Sequence, residues 1–107
     1  MNKEFKLENE YSLKADELRK NRIEMSFYKY GSAKINYGER LVNAKNSAKM
    51  CIEKYEKTNN TEYLLDAMNY LMFEFMYPPK DAYFKATDSS ESAGKDGISY
   101  NESLSKL

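Results

Sequence analysis

Residues Thr61 to Tyr77 read TEYLLDAMNYLMFEFMY. The stretch holds no glycine or proline, and its only charged side chains are Glu62, Asp66 and Glu74. Placed at about 100° per residue, Glu62, Asp66, Asn69 and Phe73 fall within a strip about 60° wide. Leu64, Leu65, Ala67, Met68, Leu71, Met72, Phe75 and Met76, together with Tyr63, occupy roughly two thirds of the circumference. A surface helix buries a narrower stripe, so a helix this apolar is either central to its own domain or shared with another subunit. A small chain has little material with which to surround it. The pattern therefore predicts a homo-oligomer whose interface includes Leu64, Met68, Leu71, Met72, Phe75 and Met76. Methionine on one side of the helix suits such a contact, because its flexible thioether packs adaptably.

The flanks of this helix are clearly punctuated. Tyr77-Pro78-Pro79 ends it, since proline lacks the amide donor and clashes with the preceding turn. Thr58-Asn59-Asn60-Thr61 precedes it. Asparagine accepts the left-handed backbone that closes a helix, and Asn or Thr caps the next one. A helix from Gly38 or Glu39 to Lys57 is expected before that turn, with Leu41, Ala44, Ala48, Cys51, Ile52 and Tyr55 on its apolar side. The short connection predicts an αα-hairpin, and the small side chains at 44, 48 and 51 favour close approach. Further upstream, Leu7, Tyr11, Ala15, Leu18, Arg22 and Met25 recur at helical spacing, with Arg22 as the polar interruption. They predict a first helix from Leu7 or Tyr11 to Tyr30, capped by Gly31. Gly31 to Gly38 reads as a connecting loop with room for a short helical turn. The expected fold is all-α: a small bundle of about three helices over residues 1–79. A Ser/Gly/Asp-rich tail, residues 80–107, is expected to pack on the domain or on a neighbouring subunit.

At 107 residues the chain supports one domain, and a domain of this size buries only about two thirds of its unfolded surface. The sequence is 41% hydrophobic and 32% charged, as in helical globular proteins, and its net charge is zero. That balance disfavours a duplex nucleic acid partner, which usually calls for excess Lys and Arg. One cysteine, Cys51, fits a reducing cytosol, and neither an apolar signal core nor a membrane-length apolar run is expected. There is no histidine, which removes the commonest general base and metal ligand at neutral pH.

The block YEKTNNTEYLLDAMNYLMFEFMYP at 55–78, with AYFKATDSSESAG at 82–94, resembles small proteins encoded by bacteriophages and prophages of Gram-positive bacteria. Tyr28-Lys-Tyr-Gly31 and Asn36-Tyr37 share that resemblance, which covers most of the chain after Arg22. It implies a phage origin and action in the host cytosol, and it brings no established activity. Small phage proteins without an enzymatic motif often counter host defence, and one class resembles sponges that trap nucleotide immune messengers.

Three groups of residues carry candidate chemistry. The first is Arg22 to Arg40, which interleaves Arg22, Lys29, Lys34 and Arg40 with Phe27, Tyr28, Tyr30 and Tyr37. Aromatic faces stack on bases while Lys and Arg hold phosphates. The same tyrosines would also serve a core with the lysines left in water. The second is the polar run Thr87 to Gly94, whose Ser89, Ser90 and Ser92 would cover a bound ligand or simply form local turns. The third is a carboxylate set for a magnesium ion: Glu53 and Glu56 on one helix, Glu62 and Asp66 on the next. Leu64 to Leu71 is similar to a metal helix of the all-helical nucleoside triphosphate pyrophosphohydrolases. In that family, however, a long gap separates the acidic pairs, and here only five residues do. The leading expectation is a sponge for a nucleotide-like messenger with no cofactor and no metal. A protein-binding inhibitor of a host defence enzyme and a magnesium-dependent hydrolase are the alternatives.

Overall fold

The computed structural model describes residues 4–87, and among them the architecture is all-α, with five helices and no strand. Helix α1 is Leu7–Glu10, α2 Leu13–Tyr30, α3 Ala33–Asn36, α4 Ala44–Thr58 and α5 Glu62–Met76.

The first expected helix is broken in two. Tyr11 is extended, at φ −148° and ψ 145°, and the Ser12 hydroxyl accepts the Ala15 N–H at 3.0 Å. A serine in this position satisfies an N–H that otherwise has no partner, and so starts a helix afresh. The Tyr11 hydroxyl then donates to Asp16, which raises the Tyr11 pKa. Helix α2 ends where expected. Gly31 lies at φ 92° and ψ −172°, a backbone region open essentially to glycine alone, and its N–H donates to the Phe27 carbonyl at 2.9 Å.

The loop after Gly31 holds the single turn α3, started by the Ser32 hydroxyl, which accepts the Lys34 N–H at 3.1 Å. The Asn36 amide donates to the Tyr30 carbonyl at 3.1 Å and folds α3 back on the end of α2. At Gly38 a Cβ would lie 2.0 Å from the Lys34 carbonyl oxygen, so this close approach requires glycine. Helix α4 begins at Ala44, later than the expected Gly38 or Glu39. Arg40 is left-handed at φ 56°, and Asn43 caps the helix by accepting the Asn46 N–H at 3.0 Å. Leu41 and Val42 thereby fall outside the helix and are exposed. The turn before α5 follows the sequence reading: Asn59 is left-handed at φ 61°, and the Asn60 side chain accepts the Glu62 N–H at 3.1 Å.

Helix α5 packs against both α4 and α2. Toward α4 the contact rests on small side chains: Ala44, Ala48 and Ala67 are buried. The Lys54 ammonium also lies 5.9 Å from the centre of the Tyr63 ring. On the narrow strip that the sequence left for polar contacts, Asn69 and Phe73 are buried, Asn69 bonded to Arg19 of α2 and Phe73 stacked on Tyr37 after α3. Helix α2 itself buries no residue. Leu18 and Met25, expected on its inner stripe, are exposed, while Arg22 turns toward α5. The reason lies in α5, whose facing strip offers Glu62, Asp66 and Asn69, partners that suit a guanidinium better than a leucine. Among the described residues only Ala44, Ala48, Ala67 and Phe73 form a buried apolar core.

After α5 the chain runs as irregular, exposed backbone to Thr87. No helix among the described residues is long and apolar enough to cross a membrane.

Candidate functional site

Two arginines one helical turn apart on α2 organise the α2–α5 contact. The Arg19 Nε donates to the Asn69 side-chain oxygen at 3.0 Å, and the Asn69 amide returns a bond to the Arg19 carbonyl at 3.3 Å. Arg19 also reaches the Met72 sulfur at 3.5 Å and Asp16 at 3.6 Å. Arg22 grips Asp66 through two nitrogens, Nη2 to Oδ2 at 3.1 Å among them, and donates to Glu62 as well. Its pKa is raised chiefly by the hydrogen bond to Asp66. One cation thus faces two carboxylates, and the cluster carries a net negative charge. A phosphate approaching Arg22 would have to compete with both.

Beside this cluster, where α2, α3 and α5 meet, lies an open cleft of about 120 Å3. Phe27, Tyr30, Tyr37, Tyr70 and Phe73 supply aromatic walls; Arg22, Asp66, Asn36 and Asn69 supply polar groups. Tyr37 stacks on Phe73 with centroids 4.5 Å apart and planes 15° from parallel, and it meets Tyr70 edge-on at 6.3 Å. Burial pushes the Tyr37 phenol up to about 12, with Tyr70 adding to the effect, and raises the Tyr70 phenol too. Both hydroxyls therefore stay protonated near neutral pH and act as hydrogen-bond donors and acceptors rather than bases.

Of the residues singled out from sequence, Arg22, Tyr30 and Tyr37 line this cleft. Lys29 borders an adjoining depression that shares Arg22, Ser26 and Tyr30 with it, and the Lys29 ammonium sits 5.1 Å from the centre of the Tyr30 ring. Tyr28, Lys34 and Arg40 are not brought to the cleft. Tyr28 is exposed and packs edge-on against Phe27 at 5.3 Å. Lys34 is exposed, and Arg40 donates to the Tyr77 carbonyl at 3.1 Å. Ser89, Ser90 and Ser92 lie outside the described residues.

The four carboxylates of the magnesium alternative part company: Glu62 and Asp66 take Arg22, while Glu53 and Glu56 are exposed on α4. Among the described residues no three acidic or thiol groups are placed to share a cation. The Cys51 thiol, which burial pushes up, is half-buried on α4. The expected interface residues Met68, Leu71, Phe75 and Met76 are exposed, with Leu64 and Met72 half-buried.

Asn36, Asn69, Tyr70 and Phe73 line the cleft without having been singled out as ligand residues. For Asn69 and Phe73 the signal was the narrow strip on α5 itself, whereas Tyr70 lies outside that strip and Asn36 is on α3. A buried asparagine and a phenylalanine within a polar strip mark a helix face that must meet something both polar and apolar. No family model matches the chain, and comparison with curated proteins and with solved structures likewise gives no match.

Proposed function

We propose that this protein acts by binding, as a homo-oligomer assembled through the outer face of α5. Its proposed ligand is a nucleotide-like small molecule, held in the manner of a phage sponge that lowers a host's free immune messenger. One observation carries the assembly. Leu71 is 51% exposed, Phe75 73% and Met76 50%, on a helix whose other sides already pack against α2 and α4.

Leu64, Met68, Leu71 and Phe75 share one side of the helix, and no charged residue falls among them. In a two-fold contact each face meets its own copy, so a charge-free face brings no like-charge conflict. Their exposed surface is on the order of 400 Å2 per chain, about half of what a stable interface buries on each partner. The assembly therefore draws in flanking surface as well, and it shields a helix that the small core of one chain leaves half covered.

For the ligand, the support is the aromatic cleft with Lys29 at its side. Calorimetry against cyclic dinucleotides and ADP-ribose derivatives tests it. Binding tighter than micromolar is expected for at least one, and no binding by any of them rejects the sponge. The apolar α5 face also favours a second reading, a protein-binding inhibitor of a host defence enzyme. A stoichiometric host protein recovered in a pull-down, and lost in Phe75→Glu, would replace the first reading with that one.

A further inference from the structure

Two adjoining hollows on one side of the molecule differ in chemistry. The first is the aromatic cleft, and the second is the depression beyond Ser26 and Tyr30, where Lys29 stands. We propose that together they form a site for a single pyrimidine nucleoside monophosphate unit, with the ring in the cleft beside Tyr30 and Tyr37 and the phosphate on Lys29. This rests on the nucleotide reading above and narrows it to one ring and one phosphate.

Size selects the ring. A cavity of roughly 150 Å3 takes up benzene, so an open cleft of about 120 Å3 admits at most one six-membered ring and cannot enclose a dinucleotide. A larger ligand enters by one such unit and leaves the remainder outside. Shape agrees: the stacked pair Tyr37 and Phe73 lines the cleft, and so does the exposed Tyr30. The polar groups match a pyrimidine edge. Asn69 and Asp66 are engaged by Arg19 and Arg22, but the Asn36 side-chain oxygen and the Tyr37 and Tyr70 hydroxyls make no hydrogen bond among the described residues and offer both donors and acceptors around the cleft.

Charge places the phosphate. Arg22 is held by Glu62 and Asp66, so the cleft repels an anion. Lys29 makes no ion pair among the described residues, and its ammonium lies 5.1 Å from the centre of the ring of Tyr30, a residue that lines both hollows. The ring therefore stacks on one side of Tyr30 while the phosphate is drawn to the other.

The test uses the full chain, titrated with cytidine 5′-monophosphate, cytidine and inorganic phosphate and followed by amide NMR shifts and calorimetry. Cytidine monophosphate should saturate, with shifts centred on Tyr30, Gly31 and Asn36. Its affinity should exceed that of cytidine about ten-fold, as expected of one charge-assisted phosphate contact. Tyr30→Ala should weaken both by about ten-fold, the scale of one stacking contact. Lys29→Gln should reduce the monophosphate to the level of cytidine and leave cytidine unchanged. Both side chains are exposed, so circular dichroism should confirm an unaltered fold.

Monophosphate binding indifferent to both substitutions overturns the site. So does sub-micromolar binding of a cyclic dinucleotide or ADP-ribose derivative that Tyr30→Ala leaves intact, and the broader nucleotide reading then survives. If neither the monophosphate nor any of those larger ligands binds, both readings fall together.

Discussion

Arg22 shows most clearly how one side chain sets the packing of this protein. From sequence it interrupts an apolar stripe. In the fold it joins α2 to α5 through Asp66 and Glu62, beside the contact of Arg19 with Asn69. Because the Arg22 side chain keeps about a third of its surface in water, the pair is a modest contributor. A double-mutant cycle between Arg22→Met and Asp66→Asn, read by urea unfolding, should give a coupling of about 1 kcal/mol that shrinks in high salt. Tyr37 makes a second prediction. Its folded pKa, about 12, exceeds the ordinary 10.0, so the folded state holds the phenolic proton more tightly. Its contribution is complete below pH 10 and disappears as pH rises toward 12. The Tm should fall across that window, and Tyr37→Phe should flatten the fall. Residue by residue, the aromatic and basic character of segment 22–40 was legible. The pairing of Arg22 with Asp66 was not, because the partners are 44 positions apart and no local signal links them. The usable hint was complementarity between a polar interruption on one apolar helix and a polar strip on another.

At the scale of elements, boundaries followed cap chemistry wherever it was unambiguous. Asn59 and Pro78 bracket α5 in sequence as in the fold, where the helix spans Glu62–Met76. Boundaries were missed where a side-chain cap overrode a periodic pattern. Ser12 divides α1 from α2, and Asn43 delays α4, although apolar spacing runs through both places. Ser12→Ala should therefore lower stability by about 1 kcal/mol and fray the start of α2. Gly31→Ala should lower it by about 1–3 kcal/mol, because the strain is in the backbone. A methyl group at Gly31 meets no atom within 4 Å, so this loss comes from its own backbone conformation and not from a clash with packed neighbours. Denaturant midpoints of the two variants check both statements. The inner face of α2 was the element-scale property that sequence reasoning placed wrongly. Apolar periodicity assumes an apolar counterpart, and α5 presents Glu62, Asp66 and Asn69 instead.

For the whole molecule, the decisive quantity is how little is buried. Three alanines and one phenylalanine form the apolar core among the described residues, while Leu71, Phe75 and Met76 face outward from the most apolar helix. Over the described residues this core is small for one chain, and the proposed assembly would add burial to it. The wide apolar arc of α5 was legible in the sequence. How the neighbouring helices would divide that arc was not, since it depends on long-range packing. Stability should therefore rise with protein concentration, and Leu71→Glu with Phe75→Glu should lower the Tm and abolish that dependence. The most direct test of self-assembly through α5 is sedimentation of the full chain across a series of micromolar concentrations. The expected mass climbs to a multiple of 12.5 kDa and returns to 12.5 kDa in the Leu71→Glu, Phe75→Glu variant. A single 12.5 kDa species at every concentration would contradict it.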